Sequence, residues 1–238
     1  ETGERLIKKK TIHTQIYNFY GLALQNLGNF DKSIKCFNKS IELEPTNYYA
    51  FNNLAVSLKS IEKFKLAEKA YKNCLNLNPN YFFGIINYAN LKEEINQFKE
   101  SIDLYLISLK IARDTDKSNI FSKLSKLYLS LGETKRAKEY ALKILDQNPN
   151  DTGAFNLLAD LIDVKNDREF ISKMETLYKN DKISENDIIN LSFPLGNIYH
   201  SLKNFEKAYD FYLKGNQLKR KQIRYNVEDI LSLVKSIK

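Results

Sequence analysis

The chain has 238 residues, a formal charge of +8 and a 43% hydrophobic content that includes 15 tyrosines and 14 phenylalanines. With only two cysteines and two histidines, a disulfide scaffold is excluded, and Cys36 and Cys74 read as small buried thiols. No run approaches the roughly 18 apolar residues of a membrane span and no basic-then-apolar leader opens the chain, so a cytoplasmic placement away from membranes is expected. The basic balance is not clustered as nucleic acid would require: lysine and glutamate alternate, as in Lys63-Phe64-Lys65-Leu66-Ala67-Glu68-Lys69, which is the pattern of solvated helix faces.

Residues 1–13 are predicted as the tail helix of a preceding repeat or a cloning remnant; the start without methionine reads as a piece cut from a longer protein. From there one phrase recurs. Tyr17-Asn18-Phe19-Tyr20-Gly21-Leu22-Ala23-Leu24, followed by Leu27-Gly28-Asn29-Phe30 and Glu44-Pro45, returns as Phe51-Asn52-Asn53-Leu54-Ala55-Val56-Ser57-Leu58 with Lys63-Phe64 and Asn78-Pro79. It returns again as Ile85-Ile86-Asn87-Tyr88-Ala89-Asn90 with Gln97-Phe98. The predicted repeats are 14–47, 48–81, 82–115, 118–151, a degenerate 152–183, and 189–222. Arg113 stands where the third repeat should carry proline, and two extra residues near Asp116-Lys117 shift the register. The fifth repeat has a regular first helix (Phe155, Leu158-Ala159, Ile162) and a second, roughly 167–180, without the small-residue pattern. Ser184-Glu185-Asn186-Asp187 has capping-box character and starts the next helix. Residues 223–238 are predicted as a capping helix that covers the apolar end of the stack.

A period of 34 residues with small residues facing large ones resembles the tetratricopeptide repeat (TPR). The resemblance implies an all-α fold, a right-handed superhelical solenoid of about six helix-turn-helix repeats. Helix A of each repeat nests against helix B through its small residues, and the proline stops helix B.

Enzyme signatures are missing from the sequence: no HExxH, CxxC pair, GxSxG, GxxxxGK[ST] or GxGxxG. His13 and His200 lie at opposite ends of the array, and the carboxylates are scattered among lysines. No catalytic, cofactor-binding or metal-ligating residue is expected, and the segment reads as non-enzymatic.

In TPR arrays one face of helix A lines the concave surface, and here asparagine recurs on it. Asn18, Asn52, Asn53, Asn87, Asn90 and Asn156 offer amides that could pair with the backbone of an extended peptide. Phe19, Tyr49 and Phe83 would add apolar pockets, and Lys123 and Lys126 a basic end. This resembles the asparagine ladder of TPR glycosyltransferases. The lysine-based carboxylate clamp that holds chaperone C-termini does not fit, because the position it needs is filled by Asn18, Asn52, Ile86, Ser122, Asn156 and Phe193. A protein or extended peptide is the expected partner; the oligomeric state is not legible.

Residues 195–220, from Leu195-Gly196-Asn197-Ile198-Tyr199 through Phe205-Glu206-Lys207-Ala208-Tyr209-Asp210-Phe211-Tyr212 to Gly215-Asn216-Gln217-Leu218-Lys219-Arg220, are followed by Ile223-Arg224-Tyr225-Asn226-Val227-Glu228-Asp229. This stretch resembles the last repeat of bacterial TPR-sulfotransferase fusion proteins. The resemblance implies a transferase domain beyond Lys238, for which the array would be the substrate-recognition arm. A free-standing adaptor for complex assembly is the alternative.

Overall fold

A computed structural model of the chain describes residues 2–159, 161–164 and 166–222, with side chains from His13 onward. Every regular element among them is a helix: α1 (Thr2–Asn26), α2 (Phe30–Leu43), α3 (Tyr48–Ser60), α4 (Phe64–Leu77), α5 (Phe82–Glu94), α6 (Phe98–Leu109), α7 (Asp114–Ser130), α8 (Thr134–Gln147), α9 (Thr152–Leu158), α10 (Arg168–Tyr178), α11 (Glu185–Ser201) and α12 (Phe205–Gln222). The all-α class is as expected. Two compact units result, Glu1–Leu127 and Tyr128–Lys238.

One turn chemistry joins helix A to helix B five times. At the same repeat position stand Gly28 and Gly132 with φ near +74°, and Glu62, Asn96 and Lys203 with φ near +60°. Each is followed by a backbone N–H that reaches back five residues: Asn29 to Leu24, Lys63 to Leu58, Gln97 to Lys92, Glu133 to Tyr128 and Asn204 to Tyr199, all at 2.8–2.9 Å. This is the Schellman arrangement, which satisfies the last carbonyls of helix A and needs one residue in the left-handed region. Glycine adopts it without steric cost, whereas the other three residues carry a Cβ there.

The far end of helix B is set by proline. α2, α4 and α8 stop two residues before Pro45, Pro79 and Pro149. The residue ahead of each proline ends the helix and donates its N–H four residues back, Glu44 to Ser40, Asn78 to Cys74 and Asn148 to Ile144. Proline pushes its predecessor out of the helical region, and Asn78 and Asn148 are accordingly extended.

Within a repeat the two helices approach as closely as a missing side chain allows. A Cβ built on Gly21 would lie 2.6 Å from the Phe37 ring, and one on Gly196 would lie 2.5 Å from Tyr212. Phe37 is wholly buried, in a core with Leu54, Ala55, Leu58, Ala67, Tyr71, Tyr88 and Leu91. Gly21→Ala sets a gain in helix propensity of about 1 kcal/mol against overpacking that costs about 1–3 kcal/mol. Because Phe37 has no room to retreat, a net loss of about 1 kcal/mol is expected in urea unfolding. An unchanged midpoint would mean that α2 yields freely.

Several details were not anticipated from the sequence. α1 runs without a break from Thr2 to Asn26, so residues 2–13 continue into the first repeat. The two extra residues near Asp116-Lys117, which shift the register, are taken up in α7, which is a turn longer than α3 and α5 and starts at Asp114. There Arg113 pairs with Asp116 at 2.9 Å and Lys117 with Asp114 at 2.7 Å, and two acidic residues suit a helix N-terminus. α9 ends at Leu158, leaving Ile162 outside it, though still packed against the core of Phe155, Ile171, Met174, Leu191, Leu195 and Ile198. Cys74 is buried as expected, but Cys36 only half so. The predicted capping box at Ser184 is present with Asp187. A proline not anticipated within a helix, Pro194, is buried in α11. The predicted capping helix at 223–238, with the Ile223–Asp229 end of the C-terminal pattern, lies outside the described residues.

Candidate functional site

α1, α3 and α5 are the A helices of the first three repeats, and their predicted site residues fall into two groups. The first is aromatic. Phe19, Tyr49 and Phe83 are 67%, 48% and 59% exposed. Tyr49 touches Tyr48 and Tyr81 at centroid distances of 4.1 and 5.3 Å, and Phe83 touches Tyr81 and Phe82 at 6.1 and 5.5 Å. The rings of Tyr48, Tyr49, Tyr81, Phe82 and Phe83 therefore form an unbroken patch across the N-terminal ends of α3 and α5. Large apolar side chains left contiguous and exposed mark an interaction surface. Tyr48 and Tyr81 were missed from sequence, since neither falls on a helix A lining position.

The second group is the amides, and four of them bond to one another, which the sequence did not reveal. Asn87 Nδ2 donates to Asn52 Oδ1 at 3.0 Å, Asn52 Nδ2 to Asn53 Oδ1 at 3.1 Å, and Asn53 Nδ2 to Asn18 Oδ1 at 3.1 Å. Asn52 is only 4% exposed; it is an internal link because a buried amide must be paired within the protein. Gln25 braces the row, donating to the Asn53 carbonyl at 3.1 Å and to Ser57 Oγ at 2.7 Å. Asn90 accepts from the Tyr105 hydroxyl at 2.7 Å.

Beside the amides lies a cavity of about 490 Å³ lined by Val56, Lys59, Tyr71, Asn90, Glu93 and Lys123, among others. Its charges cancel in pairs: Lys59 with Glu94 at 2.7 Å and Lys123 with Glu93 at 2.9 Å. Lys123 is thus no free cation. Lys126 is exposed on α7, and Asn156 is exposed in the second unit on α9. His13 and His200 are exposed as well, His200 resting 5.4 Å from the Phe205 ring.

Sequence reasoning also missed a charged cluster behind this face. Lys92 is 2% exposed, and its Nζ lies 2.9 Å from Glu68, 2.7 Å from Glu100 and 2.6 Å from Gln97 Oε1. Burial disfavours its charge, but hydrogen bonds to Glu100 and Glu68 more than compensate and raise its pKa. Hydrogen bonds from Lys72, and then from Lys92 and Tyr88, hold Glu68 down at about 2. The available signal was a lysine at a repeat position occupied one period earlier by Leu58.

Helix pairs joined by one repeated turn, with a patterned face on their A helices, define a repeat scaffold. Tetratricopeptide-repeat models match residues 14–47, 119–151 and 193–222, and a second such model residues 36–69; together these take in half of the chain, which belongs to the tetratricopeptide-repeat family. An uncharacterized protein of Aquifex aeolicus (strain VF5) is 26% identical over 107 residues, 45% of this chain, and the match spans only 14% of that protein. Among solved structures, PilF of Pseudomonas aeruginosa superposes with a TM-score of 0.65 at 22% identity, covering 89% of this chain and 93% of its own. The TPR protein YrrB gives 0.56 at 21% identity, over 77% and 92%. MamA gives 0.54 at 17%, over 90% and 96%. At these identities the likeness concerns the fold. None of the described helices is long and apolar enough to cross a membrane.

Proposed function

We propose that the chain is a protein-interaction scaffold that holds an extended peptide against the helix A face of its first unit. The contiguous exposed aromatic patch around Tyr49 and Phe83 carries this reading, because it supplies apolar contact beside an ordered row of amides. YrrB, described as having an unusual peptide-binding site, lends support as a TPR protein of similar fold. The amides contribute through what their mutual bonds leave over: spare N–H groups on Asn18 and carbonyl capacity on Asn87, which suit a peptide backbone. Lys126, exposed on α7, would add positive charge at one end of the first unit.

Selection of binders from a random-peptide library tests this. Truncating exposed aromatic anchors should weaken recovered peptides by about tenfold or more in the Tyr49→Ala/Phe83→Ala variant. Its melting temperature should stay put, since both rings are about half exposed. Peptides that bind the variant as well as the parent would remove the aromatic patch from the function.

A finer reading, that the array is the recognition arm of a sulfotransferase, rests on the pattern at residues 195–220. The parent reading frame beyond Lys238 decides it: a strand followed by a phosphate-binding loop would sustain the arm, whereas a stop codon or further repeats would leave a free-standing adaptor.

A further inference from the structure

Three repeat positions decide what fills the space between neighbouring B helices. Between α4 and α6 they are Glu68, Lys92 and Glu100, and the ion triad ties the two helices together through α5. Thirty-four residues earlier the same positions are Ile34, Leu58 and Leu66. No ion pair can form there, and the space between α2 and α4 is a cavity of about 690 Å³ with all three residues in its lining. Leu54 and Leu58 are buried, and Leu66 is left 53% exposed.

The rim of this groove is charged, and unevenly. It carries Lys35, Lys63 and Lys69 against the single Asp31. All three lysines are exposed, and none of their side-chain amines has an ion-pair or hydrogen-bond partner among the described residues. The contrast with the other lysines is what decides: Lys59 and Lys123 on the helix A side, and Lys92 between α4 and α6, are each neutralised by glutamate. An apolar trough flanked by unspent positive charge complements an apolar stripe flanked by carboxylates.

We infer that the groove between α2 and α4 docks an acidic amphipathic helix of a partner protein. The shape favours a helix over an extended strand. Its α2 wall runs from Asp31 to Asn38, two turns or about 10 Å, and presents residues at the spacing by which helices pack. The partner places apolar side chains at i, i+3 and i+7 over Leu58 and Leu66, and its flanking carboxylates meet Lys35, Lys63 and Lys69. This surface is formed largely by B helices and is independent of the helix A face.

The test uses a synthetic helical probe of about 16 residues, long enough to be partly helical in water, with leucines at that spacing and glutamates on both flanks. A lysine-flanked analogue and a scrambled probe are its controls. Fluorescence anisotropy should show the acidic probe binding the whole chain in preference to both, with amide shifts on α2 and α4. Reversing the rim with Lys35→Glu/Lys69→Glu should weaken the acidic probe by about tenfold or more and shift preference to the lysine-flanked analogue. Leu66→Ala, at an exposed position, should weaken both flanked probes; Tyr49→Ala/Phe83→Ala should change nothing. Equal binding of the acidic and scrambled probes, insensitivity to the rim reversal, or shifts confined to the helix A face would each overturn the assignment.

Discussion

Lys92→Ala is expected to cost about 2–4 kcal/mol in unfolding free energy at neutral pH, because removing one member of a buried ion network strands the others. Three acceptors converge on its Nζ from α4, α6 and the turn between α5 and α6. Without it the two carboxylates lose the cation that bridges them, and the volume of the aliphatic stem is left empty. Glu68 keeps its bonds from Lys72 and Tyr88, which holds the loss below the upper end of the range. Lys92→Met refills the volume without the charge and separates packing from electrostatics. The pH dependence has a definite sign. The Glu68 carboxyl is depressed from its ordinary 4.5 to about 2, so its contribution is fully present above 4.5 and fades as pH falls toward 2. Urea unfolding of the parent should show that decline, and the Lys92→Ala variant should show less of it. Equal stability of parent and variant would mean that α4 and α6 hold together by apolar contact alone.

Tyr71→Phe is expected to stabilise the protein, by about 1–2 kcal/mol, the saving from deleting a polar group that is buried without a partner. Tyr71 is wholly buried, and its hydroxyl is the one such side-chain atom among the described residues. The ring would keep its stacking against Tyr88, at 5.7 Å between centroids, and the deletion creates little space. The residue also lines the cavity beside the amide row. A loss of stability in Tyr71→Phe would show that the hydroxyl finds a partner in solution through that cavity.

The repeat architecture was legible because each of its requirements leaves a residue at a fixed offset. Pro45, Pro79 and Pro149 announced the ends of α2, α4 and α8, and Gly21 and Gly196 the close approach of the two helices. Legibility failed where a requirement is met by backbone geometry alone. The turn residue with positive φ is glycine at Gly28 and Gly132 and asparagine, which tolerates that region, at Asn96, but Glu62 and Lys203 adopt the same conformation without any sign in their identity. The site was half legible. Phe19, Tyr49 and Phe83 could be named as exposed from their positions. That the asparagines would bond to one another could not, because a period places residues on a face without saying whether two side chains meet. Lys92 and its partners were hidden for a related reason: a lysine in this composition looks like solvated surface until its burial is known.

The four linked amides form a single electrical object. Every bond in the chain from Asn87 to Asn18 points the same way, so the small dipoles add and each link polarises the next. One terminus of the row is rich in hydrogens and the other in lone pairs; turning Asn52 or Asn53 would set like groups against each other at both of its junctions, and turning Asn87 or Asn18 would do so at its single one. Reversal is therefore a concerted event of all four. A strand laid along this row would meet a one-way track, with its own amino-to-carboxyl sense sorted by the protein before any of its side chains were read.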